Sequence, residues 1–166
     1  MISLPKNIYV IMGVSGCGKS TIGRMLADTL CLPFFDGDDY HPEKNIQKMS
    51  KGEPLNDEDR YSWLQALNTL AIAHRNEGGV IACSALKESY RNILERGLAP
   101  TPVWVYLEGS YESILRRLTQ RSDHFMPSGL LRSQFDILEP PKNAIRVSIE
   151  LEPSQIIKEI LKKIPK

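Results

Sequence analysis

Gly13-Val14-Ser15-Gly16-Cys17-Gly18-Lys19-Ser20 follows directly on the apolar run Ile8-Tyr9-Val10-Ile11-Met12. The stretch satisfies the pattern G-x-x-x-x-G-K-[ST] in full. Each part has a physical task. Glycines take backbone angles closed to other residues and let amide groups crowd around phosphate oxygens. The helix that follows presents unpaired amides and its positive dipole end to the same anion. Lys19 adds a point charge near the terminal phosphate, and Ser20 offers a hydroxyl to Mg²⁺. The pattern thus predicts a buried strand, a phosphate-binding loop and a helix, in that order.

Outward from this loop, strands and helices alternate. Apolar residues Ile22, Met25, Leu26 and Leu30 recur at helical spacing between Lys19 and Leu30. Leu32–Asp36, Val80–Cys83, Val103–Leu107 and Arg146–Ile149 read as further short strands. Helices are predicted from about Pro42 to Lys51, Glu58 to Arg75, Lys87 to Arg96 and Tyr111 to Arg121. Two more run from Ser128 or Gly129 to about Leu138, and from Pro153 to Lys163. This alternation predicts an α/β fold, with a five-stranded, mainly parallel sheet covered by helices on both faces. Residues 1–166 form one domain, with no repeat or domain-scale linker. Ligands of such sheets collect beyond the carboxyl ends of the strands, where Gly13, Asp36, Ser84 and Glu108 fall.

Composition narrows the function classes. The 166 residues carry 21 Lys plus Arg against 20 Asp plus Glu, so no global field draws the chain to nucleic acid or an anionic membrane. No apolar run approaches the ~20 residues of a membrane span. Lys6, Ile8–Val14 and Cys17 superficially imitate a lipoprotein signal, but cleavage there would remove half of the phosphate loop. The three cysteines, Cys17, Cys31 and Cys83, fit neither a disulfide framework nor a metal-ligand pattern, which points to a reducing, cytoplasmic setting. Cys17 reads as a small filler.

A phosphate loop alone serves kinases, GTPases, motors and switches. The short chain and the lack of Asn-Lys-x-Asp favour a kinase. So do Arg116, Arg117, Arg121 and Arg132, which surround the polar, Pro- and Gly-broken stretch Ser122–Gly129, read as a mobile lid around 122–133. Arg117 and Arg121 share a helix face and are assigned to the nucleotide phosphates. A lid arginine such as Arg121 can be worth roughly 10³–10⁵ in rate. The alternative for each arginine is a solvated helix face. In Phe35-Asp36-Gly37-Asp38-Asp39, Asp36 is the candidate for the metal side and Asp38 for the base that accepts a hydroxyl proton. Such an Asp-Gly cluster is otherwise a common turn former.

Longer motifs carry a resemblance. Asp36-Gly37-Asp38-Asp39-Tyr40-His41-Pro42, Asn45-Ile46-Gln47-Lys48-Met49 and Gly52-Glu53-Pro54-Leu55-Asn56-Asp57-Glu58-Asp59-Arg60 resemble the gluconate kinase family. Cys83-Ser84-Ala85-Leu86-Lys87 with Tyr90-Arg91, His124-Phe125-Met126, Ser133-Gln134-Phe135 and Leu138-Glu139-Pro140 continue the resemblance. It implies a P-loop kinase fold like that of nucleoside-monophosphate and shikimate kinases, and phosphorylation of D-gluconate by ATP with Mg²⁺. It also implies Gln134 among the substrate-binding residues, and family precedent points to a homodimer. Ser62 stands where the family usually has proline, at a position expected near the start of a helix.

An open-chain polyol with a carboxylate needs cations and hydrogen-bonding groups. Arg60 is the candidate carboxylate clamp. Lys87 and Arg91, one helical turn apart, and His41 and Lys48 are assigned to the same pocket. Against this, Arg91 could pair with Glu88 or Glu95, His41 could merely enter a helix, and Lys48 could be solvated. Two other readings compete. One is a kinase of this fold acting on shikimate, another sugar acid or a nucleoside monophosphate. The other is a nucleotide-gated switch without catalysis.

Overall fold

The computed structural model describes residues 4–120 and 128–166. Ile8–Met12 forms β1, wholly apolar and wholly buried, as a strand covered on both faces must be. The other strands are β2 (Phe34–Asp36), β3 (Gly79–Ala82), β4 (Val103–Glu108) and β5 (Ile145–Ser148). They form one sheet in the order β2-β3-β1-β4-β5. All four pairings are parallel, so the sheet is parallel throughout.

The helices are α1 (Lys19–Leu30), α2 (Glu43–Ser50), α3 (Asp57–Ala73), α4 (Glu88–Glu95), α5 (Tyr111–Gln120), α6 (Ser128–Ile137) and α7 (Pro153–Lys163). α1 packs on β3 and on α7, α7 packs on β5, and α3 packs along α4. Among the described residues, no helix is long and apolar enough to cross a membrane. The apolar run that imitates a signal is the central strand, with Cys17 buried behind it.

Three local differences from the sequence reading have physical causes. β2 begins at Phe34 and not at Leu32. The Leu32 amide is engaged by the Ala27 carbonyl of α1 at 2.9 Å, and Pro33 has no amide to offer a sheet. Gly37–Tyr40, for which a turn is the alternative reading, is a single 3-10 turn in which the Asp36 side chain accepts the Asp38 amide. Ser62 is not in the first turn of its helix. α3 starts at Asp57, behind a reciprocal cap in which the Asn56 side chain accepts from the Asp59 amide (2.8 Å) and the Asp59 carboxylate from the Asn56 amide (2.9 Å). Ser62 lies exposed in the second turn.

The carboxyl ends of β1, β2 and β3 come together as the fold class requires. The Gly13 amide donates to the Ser84 carbonyl at 3.3 Å, joining the phosphate loop to the segment after β3. Glu108, at the end of β4, instead pairs with Arg146 of β5. Gly37 crosses the end of β3 so closely that a Cβ there would stand 2.3 Å from the Ala82 carbonyl oxygen. Only glycine permits that crossing, and it places the Gly37 carbonyl where Trp63 can reach it.

Candidate active site

The phosphate loop Gly13–Lys19 runs from β1 into α1. Gly13, Gly16 and Gly18 all have positive φ, and Gly18 is the residue before the helix. Two donors of the loop have partners within the protein. Lys19 Nζ donates to the Val14 carbonyl at 3.0 Å, and the Ser15 amide donates to Gln134 Oε1 at 2.7 Å. Gln134, expected among the substrate ligands, therefore ties α6 to the phosphate loop. Ser20 Oγ donates to Asp36 Oδ2 at 2.8 Å, while Asp36 Oδ1 accepts the Asp38 amide at 3.0 Å. The expected hydroxyl and carboxylate of a metal site are thus side by side.

Cys17 is buried, and burial pushes its thiol upward from the ordinary range. It fills space behind Gly13, where a Cβ would stand 2.7 Å from its sulfur.

Beside the loop opens a cavity of about 340 Å³. Ser15, Lys19 and Gln134 line its phosphate side. Asp38, His41, Arg60 and Ser84 line it as well, with the apolar side chains of Ile46, Met49, Leu55 and Trp63. Arg60 is almost fully buried, and its Nη1 donates to the Leu55 carbonyl (2.5 Å) and the Tyr90 hydroxyl (3.1 Å). Tyr90 in turn donates to Asp57 Oδ1 at 2.6 Å. The His41 ring stacks on Trp63, with centroids 4.1 Å apart and planes 16° from parallel. Burial, with Arg60 nearby, pushes His41 down to about 4, so its imidazole is neutral at ordinary pH.

Three cations assigned to this pocket lie outside it. Lys48 pairs with Asp59 at 2.6 Å, and Lys87 with Asp57 at 2.9 Å. These bonds hold both carboxyls below their ordinary range; for Asp57 the Tyr90 hydroxyl contributes most. Arg91 is buried and donates to the Ala85 carbonyl (2.7 Å) and the Glu139 carbonyl (2.9 Å), with the charges of Glu88 and Glu95 nearby but not in hydrogen bonds to it. The loop after β3 needs that arginine: Ala85 has φ of 43°, a costly angle for alanine. Arg117 donates to the Ile149 carbonyl at 2.5 Å, at the end of β5, and does not line the cavity. Arg121 and residues 122–127 of the expected lid lie outside the described residues, and 128–133 of it form the start of α6.

Comparison with known proteins settles the family. The thermosensitive gluconokinase of Escherichia coli K12 is 51% identical over 136 residues, covering 81% of this chain and 72% of that protein. The chain belongs to the gluconokinase family. A crystal structure of a gluconokinase from Sinorhizobium meliloti is 39% identical and superposes with a TM-score of 0.87, covering 95% of this chain and 90% of that one. A family model described as shikimate kinase matches residues 15–164. The shikimate kinase of Aquifex aeolicus, at 22% identity, shares the fold, with a TM-score of 0.67 over 93% of this chain and 94% of that one.

Some site residues escaped the sequence reading. Trp63 counted only as one apolar position on a helix face, yet it carries His41. Asn45, Asp57 and Tyr90 were visible inside quoted motifs but had no role. The spacing of His41 and Asn45, four apart at a helix start, was the one local signal for the first pair.

Proposed function

We infer that this chain transfers the terminal phosphoryl group of ATP to D-gluconate, giving 6-phospho-D-gluconate and ADP. The observation that carries the reading is one cavity lined both by Ser15 and Lys19 of the phosphate loop and by Asp38, His41 and Arg60. Membership of the gluconokinase family supplies the acceptor. In this reading the Gly13–Ser20 amides and Lys19 hold the triphosphate, whose oxygens replace the Val14 carbonyl at Lys19 and Gln134 at Ser15. A displacement of those two internal bonds couples nucleotide arrival to α6.

On the acceptor side, Arg60 pairs with the gluconate carboxylate, using donors left over from Leu55 and Tyr90. The apolar wall excludes water, which strengthens that pairing. Asp38 accepts the proton of the attacking hydroxyl as its oxygen bonds to phosphorus and the bond to the ADP oxygen breaks. Ser20 and Asp36 would hold Mg²⁺; two hard oxygen donors beside phosphates suit an ion that keeps few protein ligands. Bound there, the ion would neutralise developing phosphate charge. A cytoplasmic location and a homodimer belong to the same reading, supported by the free cysteines and by family precedent.

The test is ADP release with ATP and Mg²⁺ against D-gluconate, related sugar acids, shikimate and nucleoside monophosphates. Gluconate-dependent release is expected. Release with a different acceptor alone would discard the acceptor pocket and keep the kinase; ATP binding without any acceptor-dependent release would favour a switch.

A further inference from the structure

Asn45 has side-chain bonds that are unusual for a residue outside the cavity. It is fully buried on α2, and its Nδ2 donates to the Asp59 carbonyl at 2.9 Å. A carbonyl can only accept, so this bond fixes which end of the amide faces it. The same NH₂ lies 3.2 Å from His41 Nδ1. With one hydrogen directed to Asp59, the other points at the ring, and Nδ1 must accept. Turning the amide over would set Oδ1 against the Asp59 carbonyl oxygen, acceptor against acceptor. The orientation is held even though it leaves Asn45 Oδ1 buried with no hydrogen-bond partner among the described residues.

A neutral imidazole carries one proton. If Nδ1 accepts, that proton is on Nε2. We propose that Asn45 fixes His41 as the Nε2–H tautomer, making His41 an obligate hydrogen-bond donor to an oxygen of the acceptor and unable to serve as the catalytic base. His41 lines the cavity, and stacking on Trp63 sets the plane of the ring. Trp63 is itself locked by donation from Nε1 to the Gly37 carbonyl at 2.7 Å. Ring plane and proton position are therefore both set before any ligand arrives. Among the described residues, the charged groups that share the cavity with His41 are Arg60, Asp38 and Lys19. The cation at Arg60 opposes a second proton on the ring, in keeping with its neutrality. With both ring nitrogens committed, Asp38 is left, among the described residues that line the cavity, as the group that can take the hydroxyl proton. Asn45 is a positioning residue in this scheme: it acts through His41.

The donor role rests on the acceptor reading of the cavity; the tautomer does not. Long-range ¹H–¹⁵N spectra of the ligand-free protein decide the tautomer, with His41→Gln assigning the signal. A protonated Nε2 and an unprotonated Nδ1 are expected, unchanged from about pH 8 to about pH 5. A proton on Nδ1, or a mixture of the two forms, would overturn the proposal without needing any variant. Asn45→Asp replaces the donor by oxygens that only accept, so the proton should move to Nδ1 or the ring should become imidazolium at neutral pH. An Asn45→Asp protein that folds with the tautomer unchanged would also overturn it. In the same variant KM for gluconate should rise about tenfold with KM for ATP near normal, as expected for one lost hydrogen bond. The expected spectra with an unchanged gluconate KM would overturn the donor role and leave the Asn45–His41 bond standing. No turnover of gluconate by the wild-type protein would instead mean that the acceptor reading had failed.

Discussion

The two sides of the cavity are built by different means. The phosphate side is made of backbone: glycines at positive φ, amides, and one lysine that rests on its own loop. The acceptor side is made of side chains, most of which hold other parts of the protein. Lys48 and Lys87 neutralise Asp59 and Asp57, Arg91 holds two carbonyls, and of the cationic side chains assigned to that pocket only Arg60 lines the cavity. A loop of amides can bind any phosphate. A pocket for one polyol acid needs a frame stiff enough to aim a few groups, and the remaining charged residues supply that frame.

The largest effect should come where the two sides meet. Asp38→Asn is expected to lower kcat by about 10²–10⁴ while ATP binding stays near normal, as loss of a general base predicts; equal loss of ATP affinity would move Asp38 to the nucleotide side. Arg60→Ala should raise KM for gluconate by roughly 10–100-fold, the range for a charge-assisted hydrogen bond. A parallel rise in KM for ATP would make Arg60 part of the frame. Arg91→Leu tests the frame itself. Two carbonyls near Ala85 lose their donor, so thermal unfolding should show a loss of about 2–3 kcal/mol with gluconate KM unchanged in the folded protein. The smallest change is expected from Asn56→Ala, which removes the α3 cap and costs about 1 kcal/mol by denaturant unfolding. If that variant also weakens gluconate binding severalfold, the cap positions Arg60 as well as the helix.

The same division explains what could be read in the sequence. Backbone chemistry leaves short, ordered signatures: Gly13–Ser20, the apolar β1, the Pro153 start of α7. These elements lie where the pattern predicted them. Side-chain frames leave composition without partners. Lys87 and Arg91 share a helix face and a charge, but one reaches Asp57 and the other Glu139, 48 positions away in the chain. Nothing local to residues 87–91 distinguishes such partners from a ligand. Trp63 is similar. Its apolar spacing is real, yet its role depends on the Gly37 carbonyl, which reaches it only because Gly37 can pass across the end of β3.

The first turn of α3 gathers three of these attachments. Asp59 fastens α2 through Lys48, Asp57 fastens α4 through Lys87 and Tyr90, and Arg60, directly after Asp59, opens onto the cavity. Anchoring falls mainly to the carboxylates, and the guanidinium that follows them is the group proposed for recognition. A lineage that drifted toward a new acceptor could therefore exchange the last residue of that turn and keep both carboxylates, retaining the walls of the room while changing its lock.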